Sequence, residues 1–477
     1  MLTLYDSLTK SKQVFKPLEA TAVSVYNCGP TVYDYATIGN LRSFAFADVL
    51  RRYLEYGGFT VNQVMNLTDV GHMFEDVDIG EDKMAAAAER EKKDPWSIAD
   101  FYIKAFLEDS HKMNFQEPMA RPRATDNINE MIALIQRIID KGYAYIVNGS
   151  VYFDVTKFRD YGKLSGNTVE KLKTGAGGHV EPNPEKRNQY DFALWVNDPK
   201  HIMNWKSPWC EKGYPGWHIE CSAMVMKYLG ETIDIHTGGV DNLFPHHENE
   251  IAQSEAATGK KFVNFWLHCE HLLVNGQRMG KSLGNYYKLD DLIAKGYDPK
   301  ALRYLFLSGH YRQQLNFTFE ALDAAKNAVD RLTNFMYRLL DANGESCEEN
   351  IEQLISRVKR GFTDAMDDDL NTGLAMAELF EFVREVNNLI DSGKLNKPEA
   401  KQVYDLMVGF DKVLNVIGPI NKEQELPKEI EDLIFKRQEA RKAKDWKTAD
   451  EIRQRLKNMG VIIEDTAQGV RWRIKKA

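Results

Sequence analysis

The sequence predicts an α/β fold, and three of its features point there. Residues 23–67 read as strand, helix and strand, residues 316–420 carry an apolar stripe at helical spacing, and the last fifty residues turn basic and end in a run that suggests a small sheet.

Taken in chain order, "AVSVY" is a short β-branched apolar run, as a buried strand requires. Leu41, Phe44, Ala45, Val49, Tyr53 and Tyr56 then fall on one helical face, and Gly57-Gly58 stop the helix. "FTVNQVMNL" returns as a strand. An acidic, irregular segment between Asp69 and Pro95 merges with the helix former "MAAAAEREKK", so that residues 1–119 make the first half of an α/β domain. Residues 120–215 change character, with a helix in "NINEMIALIQRIIDKG", a hairpin in "YAYIVNGSVYFDV" turning at Asn148-Gly149, and the glycine-rich loop "KTGAGGH". They read as an insertion, after which "ETIDIHTGGVD" resumes the α/β domain over 216–315. Leu322, Ala325, Val329, Leu332, Phe335, Met336 and Leu339 trace one stripe of a helical bundle over 316–420. "GPINKEQELPKE" is a polar linker, and residues 426–477 form a small α/β domain. No internal repeat or low-complexity tract is present.

Composition limits the function. A hydrophobic content of 43% and a charged content of 28% describe a soluble globular protein. No run of roughly 18 apolar residues occurs, so no membrane span is expected. The start "MLTLYDSLTKSKQVF" lacks a signal-peptide core. Cys28, Cys210, Cys221, Cys269 and Cys347 are odd in number and scattered, which argues against a disulfide framework and for a reducing cytoplasm. The net charge of −8 hides an asymmetry: residues 426–477 hold 14 Lys+Arg against 9 Asp+Glu, leaving 48 basic and 61 acidic side chains elsewhere. A basic tail on an acidic body suits attraction to a polyanion, although a solvated helix face explains the same lysines.

Two groups of residues carry chemistry. In "FPHHENEIAQ", Pro245 suits a helix first turn, which puts His246 and Glu250 four apart on one face, where both can hold one ion. Cys221 in "GWHIECSAM" and Cys28 in "YNCGPTVYD" offer thiolates, and two sulfurs, an imidazole and a carboxylate suit zinc better than magnesium or calcium. His218 and His247 are rival ligands that spacing leaves open. The second group suits phosphate. "TIGN", Thr37 to Asn40, precedes a helix and places free N–H groups and the positive end of the helix dipole beside a strand terminus. "LLVNGQRMGKSLGN" offers a tight Asn275-Gly276 turn, then a glycine-flanked Lys281 on a loop that can swing onto a polyphosphate. In "HTGGVD", Gly238-Gly239 permit close approach of a nucleotide, and Asp241 can accept hydrogen bonds from ribose hydroxyls.

In this order, "YNCGPTVYD", "TIGN", "GWHIECSAM", "DIHTGGVDNLFPHHENEIAQSEA", "RMGKSLGN" and "LRYLFLSGHYRQQLNF" resemble the cysteinyl-tRNA synthetases, a family of class I aminoacyl-tRNA synthetases. The tail "RQEARKAKDWKTADEIRQRLKNMGVIIEDTAQGVRWR" is also family-like, so the resemblance runs from about Leu4 to Arg473. "GWHIECSAM" with "FPHHENE" is highly specific to that family, whereas "TIGN" and "RMGKS" are generic to class I. The resemblance implies a class I synthetase Rossmann-like catalytic domain with an inserted connective domain, then a helical tRNA-binding bundle and a small basic anticodon-binding domain. It implies one zinc ion (Zn2+) on Cys28, Cys221, His246 and Glu250, and an amino-acid pocket formed by Gly29, Thr68, Trp217 and His236. ATP, carrying magnesium (Mg2+), is implied at Thr37, Gly39, Asn40, Gly239, Asp241 and Lys281, with Asn40 and Lys281 as the catalytic groups. Arg441, Asp465 and Trp472 are implied anticodon contacts by stacking and hydrogen bonding. Two signatures depart from the family pattern. The first ideally reads His-Ile-Gly-His, and Thr37 and Asn40 replace both histidines; the second ideally reads Lys-Met-Ser-Lys-Ser, and Arg278 and Gly280 replace the first Lys and the first Ser. Thr37 and Asn40 can still donate to phosphate, and Arg278 keeps the charge. Activation is therefore expected to depend little on histidine ionisation at the phosphate site.

The implied function is ATP-dependent ligation of L-cysteine to tRNA(Cys) through cysteinyl-adenylate, by a cytoplasmic monomer. Cysteine and serine differ by one atom of similar size, which shape separates poorly. Zinc separates them by chemistry, because it lowers a thiol's pKa and takes the thiolate as a ligand, so no editing domain is expected. Three other readings share parts of the pattern: a ligase passing cysteine to a small amine, a zinc hydrolase on His246 and Glu250, and a tRNA-binding protein without catalysis. The basic tail speaks against the first, and the second leaves "RMGKS" unexplained. The altered signatures keep the third open.

Overall fold

The computed structural model describes residues 1–71, 82–173, 183–280, 283–346, 351–420, 428–466 and 469–474. They form two compact units, Met1–Gly418 and Pro419–Ala477. Among the described residues, no helix is long and apolar enough to cross a membrane.

The first unit is built on a four-stranded parallel sheet. Its elements are β1 (Ala22–Asn27), α1 (Ile38–Tyr56), β2 (Thr60–Met65), α2 (Trp217–Tyr228), β3 (Ile233–Gly239), α3 (His246–Thr258) and β4 (Val263–Cys269), with strand order β4-β3-β1-β2. Of the stripe predicted for α1, Leu41, Phe44, Ala45, Val49 and Tyr53 are buried, while Tyr56 lies exposed in the last turn beside the capping Gly57. The chain leaves β1 toward β2 on one side and returns as β3 on the other. In an open parallel sheet such a reversal opens a crevice beyond the carboxyl ends of the strands, and ligands bind there. Here β1 ends immediately before Cys28, and β3 ends in Gly238-Gly239. The thiol sits at a strand mouth because that is where this topology makes a binding site.

The insertion holds the helix Ile128–Asp140 and an antiparallel sheet of Ala144–Val147, Ser150–Phe153, Phe192–Asn197 and Gly213–Pro215. Asn148 and Gly149 take φ of 51° and 87°, the two positive values that a two-residue primed hairpin turn needs. Most of "KTGAGGH" lies outside the described residues. Glu248 ties the insertion to α3. Its buried carboxylate accepts from the backbone N–H groups of Gly162 (2.9 Å), Leu164 (3.1 Å) and Ser165 (2.8 Å) and from Ser165 Oγ (2.8 Å). Glu248→Ala would orphan all four donors, at a cost of about 3 kcal/mol of folding stability. A lowered denaturant midpoint with unchanged slope is the expected reading, and an unmoved midpoint would show that this clasp holds nothing.

The helices Phe319–Asp341, Ile351–Asp367, Thr372–Asp391 and Lys397–Leu414 form the bundle. Leu322, Ala325, Leu332, Phe335, Met336 and Leu339 are buried as the stripe predicts, and Val329 is half-buried. The second unit packs the helices Lys428–Lys442 and Trp446–Asn458 against an antiparallel hairpin, Val461–Thr466 with Gly469–Ile474. Ile430, Leu433, Ile434, Leu456, Val461 and Ile463 are its core.

Candidate active site

Four ligating groups meet at the carboxyl edge of the sheet. Cys28 follows β1, Cys221 lies on α2, and His246 and Glu250 stand one turn apart on α3; one donor atom of each lies within 4.8 Å of the others. Cys221, His246 and Glu250 are buried and Cys28 is half-buried. Pro245 caps α3 instead of entering its first turn, which leaves the His246–Glu250 spacing intact. Glu250 Oε1 lies 3.0 Å from His246 Nε2, yet this fully buried oxygen accepts no hydrogen bond. Two ligands of one cation approach in this way: tetrahedral bonds of roughly 2.0–2.1 Å place neighbouring ligand atoms about 3.3 Å apart. An orphaned carboxylate oxygen beside two thiols and an imidazole fits zinc better than a hard oxygen-seeking ion.

A second set, Cys28, His236, His247 and Glu250, also converges within 4.8 Å. It shares two members with the first. Cys221 and His246 line the adjoining cavity, whereas His236 and His247 are fully buried away from it, so the first set has the face a ligand can reach. The rivals surround the site: His218 Nδ1 lies 3.0 Å from His246 Nδ1, and His247 Nε2 lies 3.2 Å from Cys28 Sγ.

Burial pushes the Cys28 thiol up, and the contact with Cys28 together with burial pushes Cys221 well above the thiol range. Burial also opposes ionisation of Glu250, but His236 and His246 prevail and hold its carboxyl down at about 2. Burial disfavours a charged His246 as well, yet Glu250 and Cys221 push it up to about 10. A divalent cation held here would have to displace the thiol protons.

A cavity of about 440 Å³ adjoins the cluster, within the range that holds small ligands. Gly29, Thr68 and Trp217 line it, and so do Thr37, Gly39, Asn40, Gly239, Asp241 and Arg278. Gly29 N–H donates to Asn66 Oδ1 (2.8 Å), Asn66 Nδ2 donates to Thr68 Oγ1 (2.9 Å), and that hydroxyl donates to the buried Glu220 (3.1 Å).

The phosphate signatures interlock. The helix starts inside "TIGN", at Ile38. Thr37 Oγ1 accepts from Asn40 N–H (3.1 Å) and Asn40 Oδ1 accepts from Thr37 N–H (2.9 Å), a reciprocal capping box. Oδ1 is committed to the cap, so the group that Asn40 can offer an anion is its Nδ2 amide. Thr37 pairs with Lys288 in a β-bridge, Ile38 N–H donates to the Tyr287 carbonyl (3.0 Å), and Met279 packs over Gly39. Arg278 lies on the hairpin Leu272–Val274 with Gln277–Arg278, turning at Asn275-Gly276 with φ of 51° and 78°. Asn285 spans the loop that follows, accepting from Gly280 N–H (2.8 Å) and donating to the Arg278 carbonyl (3.0 Å).

One predicted pocket residue stands elsewhere. His236 does not line the cavity; its Nε2 is 3.0 Å from Glu250 Oε2 and its ring stacks on Trp266, which puts it behind Glu250. Lys281 lies outside the described residues. Arg441 lies on the first helix of the second unit, its guanidinium 5.9 Å from the Trp446 ring centre. Asp465 and Trp472 pair with Val470 and Ile463 across the hairpin, and their side chains lie outside the description. Sequence reasoning missed Asn66, Glu270 and His271, which all line the cavity. Each follows the carboxyl end of a parallel strand, where polar residues are the usable signal. The His271 imidazole thus reaches this cavity beside Arg278 although neither signature contains one, so the expected independence of histidine ionisation holds for the two signatures and not for the whole cavity.

The family described as tRNA synthetases class I (C) catalytic domain matches residues 14–327. A cysteinyl-tRNA ligase anticodon binding domain matches 423–473, and a DALR domain matches 361–418. The methionyl-tRNA synthetase of Mycobacterium tuberculosis, solved in complex with methionyl-adenylate, superimposes with a TM-score of 0.58 at 13% identity, covering 83% of this chain and 90% of its own. The parallel sheet with its insertion and trailing helices is the class I aminoacyl-tRNA synthetase fold. The cysteine–tRNA ligase of Caldicellulosiruptor saccharolyticus is 46% identical over 98% of this chain and 99% of its own length. That of Chlorobaculum tepidum is 43% identical over 100% and 99%, and that of Bacillus licheniformis 44% identical over 99% and 99%. The chain belongs to the cysteine–tRNA ligase family of enzymes.

Proposed function

We propose that this chain activates L-cysteine with ATP as cysteinyl-adenylate and transfers the cysteinyl group to tRNA(Cys), as a cytoplasmic monomer with zinc selecting the thiol. The observation that carries this reading is the opening of one cavity onto both the thiol-rich cluster and the phosphate signatures. Cys28, Cys221, His246 and Glu250 would hold the zinc. When bound, it would take the substrate's thiolate as an added ligand, which a serine hydroxyl cannot match near neutrality. Tenfold discrimination needs only about 1.4 kcal/mol.

The chain's own residues position the remaining atoms. Gly29, Thr68 and Trp217 shape the amino-acid side of the cavity, and Asp241 accepts from the ribose of ATP. The substrate carboxylate attacks the α-phosphorus and pyrophosphate leaves, with Mg2+ accompanying the nucleotide. No side-chain nucleophile is needed. The N-terminus of α1, the Asn40 amide and Lys281 stabilise the developing charge. The terminal ribose hydroxyl of tRNA then takes the cysteinyl group. The bundle of residues 316–420 and the basic 426–477 domain grip the tRNA, with Arg441, Asp465 and Trp472 at the anticodon.

Two assays in sequence test the reading. Pyrophosphate exchange into ATP is expected with cysteine and not with serine, followed by charging of tRNA. Exchange without charging would favour transfer to a small amine, and failure of both would overturn the reading.

A further inference from the structure

We propose that His271 is a positioning residue for ATP: it holds the Arg278 guanidinium at the nucleotide cavity, with Asp241 facing its other ring nitrogen. The inference rests on the cavity being the ATP site, as argued above. His271 follows β4 and immediately precedes the strand Leu272–Val274, and its backbone is fixed from α1. The buried Arg42 donates from Nη1 to the carbonyls of Glu270 (2.7 Å) and His271 (2.6 Å) and from Nη2 to that of Gln313 (2.6 Å). The helix that begins at "TIGN" thus carries the seat of this imidazole.

The side chain faces the cavity between two partners. Its Nε2 lies 3.1 Å from Arg278 Nη2, and its Nδ1 lies 3.4 Å from Asp241 Oδ2. Guanidinium only donates, so Nε2 is the accepting nitrogen and the ring proton sits on Nδ1, toward Asp241. Glu270 completes the surroundings, with Oε1 4.0 Å from Nε2 and accepting from the His271 N–H at 3.0 Å.

This arrangement gives a reason for arginine where the signature ideally has lysine. Arg278 stands on an exposed strand two residues long. An untethered side chain there would have to be ordered each time a nucleotide bound. The guanidinium spends one N–H on His271 and, among the described residues, has further donors for phosphate oxygens, whereas a lysine has one nitrogen for both tasks. Asp241 divides its work in the same way: Oδ2 faces His271, and Oδ1 remains for the ribose.

Equilibrium binding of ATP to the full chain, together with KM values in cysteine-dependent exchange, tests this. His271→Leu is expected to weaken ATP binding and raise KM for ATP by roughly five- to tenfold, with kcat and KM for cysteine within about twofold. His271→Gln, which restores an acceptor toward Arg278, is expected to regain most of the loss. His271→Leu combined with Arg278→Leu is expected to be no worse than Arg278→Leu alone, because the two act as one unit. Unchanged ATP binding in His271→Leu, additive losses in the double variant, or an equal rise in KM for cysteine would each overturn the proposal. Wild-type chain that binds ATP with these dependences yet shows no exchange with cysteine would overturn the functional reading and leave this inference standing.

Discussion

Cys221→Ser is expected to strip the protein of zinc and to lower cysteine-dependent exchange more than a hundredfold, beyond the roughly 10–100-fold that loss of an outer partner of a metal site costs. Cys221 is buried between Cys28 and His246 within the cluster, and a serine hydroxyl there would stay protonated. His236→Ala removes an outer partner of Glu250 and should fall inside the milder range. The pH dependence follows in sign. Both thiols have raised pKa values, so the metal-free site keeps its protons further into the alkaline range. Metal binding must expel them, and affinity therefore falls as pH falls, by up to about tenfold per pH unit for each proton released. Metal analysis of protein dialysed across pH, beside the exchange rate, checks both statements. Wild-type protein that is free of zinc, activates cysteine and rejects serine would end this account.

What the sequence made legible was local. The βαβ unit, the Asn148-Gly149 and Asn275-Gly276 turns and the stripe of Phe319–Asp341 depend on neighbours within a few residues, and they stand where the pattern placed them. The reversal of strand order that makes a crevice at Cys28 and Gly239 depends on which side of β1 receives β3, and no spacing records that. His236 shows the same limit. Alternation along β3 sorts its side chains into two faces but does not say which face looks into the cavity; packing against Trp266 and Glu250 decides it. Spacing leaves His247 open beside Cys221 and His246 for a related reason, since two overlapping donor sets converge, and only the pair peculiar to the first set, Cys221 and His246, lines the cavity. Thr37 and Asn40 looked like losses from a signature. Their reciprocal cap shows what this pair of residues does for the start of α1, a structural role that a threonine followed three residues later by an amide can announce in sequence.

Gly29→Ala and Gly39→Ala should differ sharply, though both glycines line the same cavity. A Cβ on Gly29 would lie 1.7 Å from the Asn66 carbonyl oxygen, inside any tolerable contact. That oxygen belongs to backbone just past β2, and the Asn66 side chain is itself held by Gly29 N–H and Thr68, so the mouth of the sheet between β1 and β2 must spread. A shift of about 1 Å in a wall that positions the substrate costs about a hundredfold in rate. A Cβ on Gly39 would meet Met279 Cε at 3.3 Å and Thr37 Oγ1 at 3.4 Å, and the first is the end of a flexible side chain that can turn aside. Gly39→Ala is therefore expected to change KM for ATP by only about threefold, in line with a small repacking cost. Exchange rates of the two variants, compared at equal folded fraction by circular dichroism, decide the matter. If Gly39→Ala proves the more damaging, close backbone packing against Asn66 is not what demands glycine beside Cys28.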